Sequence, residues 1–81
     1  MKNSPSERPR VYGLLADLCT ELGFSMAIQE PERFEPFVAV GVDAFAEAVL
    51  EAEGLDPAHN EQLWHDTRVF VAERFKRWQS A

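Results

Sequence analysis

The stretch from Asp56 to Trp78 constrains the fold most, because it sets two tryptophans and two phenylalanines at helical spacing. At about 100° per residue, Leu63, Trp64, Thr67, Phe70, Val71, Phe75 and Trp78 fall on one broad arc. Glu61, Gln62, His65, Asp66, Glu73 and Lys76 fall on the opposite side. Aromatic rings bury the most area per residue, so the core is expected against that arc. Two positions break the pattern. Arg74 lies inside the apolar arc, so it must snorkel at the core edge or meet a carboxylate, with Glu47 and Glu51 as candidates. Val69 is apolar on the polar side, a position suited to touching a partner.

Upstream of this stretch, two further helices are legible. From Arg10 the apolar residues Val11, Leu14, Leu15, Leu18, Cys19 and Leu22 follow the i, i+3/i+4 pattern, with Pro9 suited to the first turn. Gly23 can end that helix in a left-handed conformation, with Phe24 folding back on its last turn. A second helix is expected from Asp43, as cap, to Glu53, with Phe45, Val49 and Ala52 inward and a stop at Gly54. Asp56 then caps the final helix and Pro57 takes its first position.

Residues 24–42 support two readings. Phe24, Met26 and Ile28 alternate with smaller or polar residues, as do Val38, Val40 and Val42, and the prolines at 31 and 36 lie between. That is the pattern of a β-hairpin with a long loop. Phe34, Val38, Val42, Phe45 and Val49 also carry helical spacing, but the run Phe37–Val42 opposes a helix by roughly 2–3 kcal/mol of summed propensity. The expected fold is therefore α+β and mainly helical, in the order helix, β-hairpin, helix, helix. An all-α bundle of three or four helices is the alternative.

The chain has 81 residues, one cysteine and 46% apolar residues, which fits one small globular domain over residues 8–81 behind a disordered tail, residues 1–7. The polar start, MKNSPSERPR, has no apolar segment of the kind a secretory signal carries. With no apolar run near membrane length and a lone Cys19, a cytoplasmic location is the expectation. The net charge of −6 is unevenly spread. Residues 17–66 hold twelve acids against Arg33 alone, whereas Lys2, Arg8 and Arg10 lie near the start and Arg68, Arg74, Lys76 and Arg77 near the end. Such a middle repels phosphate, so nucleic acid is not the expected partner.

No motif for catalysis, a cofactor or a phosphate loop is present, and no enzyme activity, cofactor or metal is expected. His59 and His65 are six residues apart and point to different sides of a helix, and Glu61 with His65 makes too small a ligand set. Cys19 belongs to the apolar stripe of its helix near the C-terminal end, where the dipole disfavours a thiolate, so a buried structural role is expected.

The remaining signals concern partners. Asp43, Glu47 and Glu51 line up at i, i+4, i+8, an acidic stripe with Leu50 close by, and Ala44, Ala48 and Ala52 form a small-residue stripe beside it. Together with Val69 and Arg74, Asp43, Glu47, Leu50 and Glu51 are the candidate partner-binding set. The reading is a small acidic interaction module (an adaptor, inhibitor, or immunity- or antitoxin-like protein) that binds a basic protein surface and self-associates as a homodimer. The alternative is a small dimeric nucleic-acid-associated regulator that uses the basic ends of the chain.

Overall fold

A computed structural model describes residues 7–80, which form four α-helices joined by short 3-10 turns, with no strand among them. Helix α1 spans Glu7–Leu22, α2 Glu35–Val40, α3 Val42–Ala52 and α4 Glu61–Ser80. The expected tail, residues 1–7, lies outside the described residues apart from Glu7, which opens α1.

Two helix ends behave as their glycines imply. Gly23 has φ +80°, its N–H donates to the Cys19 carbonyl at 3.0 Å, and Phe24 turns back into the core. Gly54 has φ +77°, its N–H donates to Glu51 O at 3.0 Å, and Leu55 N–H donates to Leu50 O at 2.9 Å. That pair of bonds satisfies two of the last carbonyls of α3 and lays Leu55 against the core.

The expected β-hairpin is absent, and α+β gives way to an all-helical architecture. Ala27–Gln29 and Pro31–Phe34 are 3-10 turns, and Glu35–Val40 is α2. A strand would place Phe24, Met26 and Ile28 on one face; instead Phe24 and Ala27 are buried, three residues apart, while Met26 is 53% exposed. The second half is likewise helical: Phe34 is fully buried, Phe37 and Val38 pack against the core, and Val40 is 69% exposed.

The propensity cost is outweighed for two reasons. A lone two-stranded hairpin is marginal in water, and this chain has no third strand to support it among the described residues. Burying one phenylalanine is worth about 1.5–3 kcal/mol, comparable to the whole penalty. The prolines fit this path, since Pro31 and Pro36 each occupy a first-turn position where no N–H is needed. Gly41, at φ +140°, separates α2 from α3, a conformation that a side chain would resist.

The final helix begins later than expected. Asp56 caps the 3-10 turn Pro57–His59, accepting from Ala58 N–H at 3.0 Å, and α4 starts at Glu61. Asn60 Nδ2 donates to Asp56 O at 2.9 Å, closing the turn on itself with a side-chain bond that competes with helix continuation.

The deepest part of the core is not the aromatic arc of α4. Val11, Leu14, Leu15 and Leu18 of α1 and Phe45, Ala46, Val49 and Leu50 of α3 are essentially inaccessible, whereas α4 contributes Thr67 and Val71 at that depth. Trp64, Phe70, Phe75 and Trp78 are half-buried and line the rim. A chain of rings ties the elements together: Phe34 to Phe45 at 5.9 Å, Phe45 to Phe75 at 5.5 Å edge-on, and Phe75 to Trp78 at 5.1 Å stacked. Phe45→Ala is expected to lower stability by about 3–5 kcal/mol in urea unfolding, whereas Val40→Ala shifts it by less than about 0.5 kcal/mol. A hairpin with Val40 in its interior would not give the second result.

Candidate interaction surface

The residues expected to bind a partner do not form one patch. Asp43, at the start of α3, accepts from Arg68 Nε at 3.0 Å, and the Arg68 guanidinium lies 5.4 Å from the Trp64 ring centre. Its charge is thus compensated. Leu50 is fully buried in the core and is not a surface contact, because the inward face of α3 is wider than Phe45 and Val49 alone imply. Glu47 and Glu51 are exposed, with no hydrogen-bond or ion-pair partner among the described residues. Of the small-residue stripe, Ala48 is buried within the chain.

Arg74 does meet a carboxylate, but it belongs to Asp17 of α1 rather than to Glu47 or Glu51. The guanidinium side chain is only 19% exposed and also lies 5.6 Å from the Phe70 ring centre. The pair clasps α1 to α4 at the core edge, so Arg74 is taken up inside the chain. Asp17 is one of many acids between residues 17 and 66, and nothing local distinguishes it; only the packing of α1 against α4 does.

One carboxylate that the helix pattern does not single out organises the irregular segment. Glu53, the last residue before the Gly54 turn, accepts from the N–H groups of Ser25 at 3.2 Å, Met26 at 2.9 Å and Ala27 at 2.7 Å. These are the free donors at the start of a 3-10 turn, capped here from another helix. Its sequence trace is faint: an acid beside a C-terminal glycine, where the helix dipole disfavours negative charge.

Val69 is 45% exposed on the outer face of α4. On one side of it runs a shallow groove of about 320 Å³, lined by the apolar Leu22, Val69 and Phe70 together with Glu21, Asp66, Glu73 and His65. Asp66 accepts from Gln62 Nε2 at 2.9 Å, while Glu21 and Glu73 have no such partner among the described residues. On the other side a smaller groove, about 260 Å³, contains the compensated pair Asp43 and Arg68. The larger groove brings Val69 together with α1, which sequence spacing does not indicate.

For chemistry the described residues offer little. No group of three or more His, Cys, Asp or Glu among them is arranged to hold a metal ion. His59 Nδ1 lies 3.0 Å from Asp56 Oδ2, an exposed contact within one turn. Cys19 is partly buried rather than fully enclosed. No helix among the described residues is long and apolar enough to cross a membrane. Comparison with protein-family models, with curated proteins and with solved structures finds no match to this chain.

Glu53→Ala is expected to cost about 1–2 kcal/mol in urea unfolding, with Glu53→Gln retaining part of it through one carbonyl oxygen. Faster amide exchange at Met26 and Ala27 is the local sign to look for in the Ala variant. For the clasp, a double-mutant cycle on Asp17→Asn and Arg74→Met should give a coupling of about 1 kcal/mol, while Glu47→Gln with Arg74→Met should give none.

Proposed function

We propose that the protein is a small non-enzymatic interaction module that binds a basic surface on a protein partner, and that it works in the cytoplasm. The observation that carries this reading is how the chain spends its cations. Arg33 pairs with Glu30 at 4.0 Å, Arg68 with Asp43 at 3.0 Å and Arg74 with Asp17, and Arg10 lies 5.8 Å from the Trp78 ring centre. Glu21, Glu32, Glu47, Glu51, Glu61 and Glu73 remain exposed without partners among the described residues. Among the described residues Arg77 is an exposed cation without such a partner, but the six unpaired glutamates outnumber it, and a surface with that excess of free carboxylate is complementary to lysine- and arginine-rich surfaces.

The same allocation disfavours nucleic acid, since Arg68 and Arg74 are occupied and phosphate would meet the free carboxylates. The half-buried, unpaired Cys19 supports a reducing compartment.

Immobilised protein incubated with extract of its source cell should retain basic proteins at about 0.1 M salt and release them near 1 M, where the screening length falls from about 10 Å to about 3 Å. Reversal of Glu21, Glu47, Glu51 and Glu73 to lysine together should weaken that retention. Retention unchanged by salt, or by this fourfold charge reversal, would overturn the reading.

A further inference from the structure

We infer that the groove beside Val69 is the docking site for a basic segment of the partner, one that presents a single large apolar side chain flanked by lysines or arginines. The inference rests on the preceding reading and assigns it a place. Leu22, Val69 and Phe70 supply apolar lining, and Glu21, Asp66 and Glu73 supply three carboxylates to the same groove. An apolar side chain seated on Val69 loses water, and its cationic neighbours then fall beside acids that have no internal cation to give up. The groove on the other side of Val69 lacks this property, because Arg68 already neutralises Asp43 there.

A second copy of the chain is the poorer occupant. Each copy carries a net charge of −6, and Arg33, Arg68 and Arg74 are paired within it, so even with Arg77 exposed, copies brought together here would oppose mostly carboxylate with carboxylate. A free helix face carrying Glu47 and Glu51 offers charge but no apolar floor, since Leu50 is buried.

The test uses the full chain and a synthetic amphipathic helical peptide of lysine and leucine, with a control of the same composition whose leucines are spread around the helix. Amide shift changes in a two-dimensional NMR titration are expected at Leu22, Asp66, Val69, Phe70 and Glu73, with the control bound at least about tenfold more weakly. Val69→Glu, and separately Glu21→Lys with Glu73→Lys, should each weaken the peptide about tenfold or more, with far-ultraviolet circular dichroism confirming the fold. Glu47→Lys with Glu51→Lys should weaken it no more than about twofold.

Equal weakening by both charge reversals, with Val69→Glu silent, would overturn the groove while leaving the acidic-surface reading in place. No binding of either peptide at low salt would overturn both. A rise in molar mass with concentration in light scattering, abolished by Val69→Glu, would assign the groove to a second copy and overturn the inference.

Discussion

The contact between Phe34 and Phe45 is the one on which the rest of the structure depends. Both rings are fully buried, their centres 5.9 Å apart, and each belongs to a segment that would not hold its shape alone. Phe34 closes a four-residue 3-10 turn and leads into a six-residue helix, lengths at which isolated helical structure is unstable in water. Phe45 anchors them to α3 and, through its edge-on contact with Phe75, to α4. Glu53 does the polar half of the same task by holding the donors of residues 25–27 from the other end of α3. Helix α3 is thus the element around which the chain is wrapped, and α4 with its tryptophans is an outer wall.

This arrangement explains which surface is left for binding. The seams between helices are closed by ion pairs that draw on arginine: Arg74 joins α4 to α1, and Arg68 joins α4 to the start of α3. Each also lies against an aromatic ring, which gives its aliphatic stem and guanidinium an apolar platform. Closing two seams this way occupies two of the eight basic residues, while six glutamates stand exposed without an internal partner among the described residues. The acidic exterior therefore follows from how the interior is fastened as well as from composition.

A periodic apolar stripe and a terminal glycine make a helix legible from its residues alone. Leu14, Leu15 and Leu18 face the core as their spacing requires, and Gly23 and Gly54 end their helices with positive φ. Residues 24–42 lack that clarity, because Val38, Val40 and Val42 fit a strand by alternation while Phe34, Val38, Val42, Phe45 and Val49 fit a helix. Local preference favours the strand; burial of Phe34 against Phe45, a contact eleven residues apart in sequence, decides for the helix. The partner-binding set meets the same obstacle. Angle around a single helix does not reveal that Leu50 meets the core or that Arg74 meets Asp17. Glu47, Glu51 and Val69 are indeed exposed, but the groove around Val69 needs Glu21 and Leu22 from α1, which only tertiary packing supplies.

The contact between Phe34 and Phe45 is tested most directly by NMR secondary shifts and proton–proton contacts for residues 24–42. Helical carbon shifts over Glu35–Val40 and cross-peaks between the two phenylalanine rings are the predicted result. Extended shifts there, with Hα–Hα cross-peaks pairing residues 24–28 with residues 38–42, would contradict it.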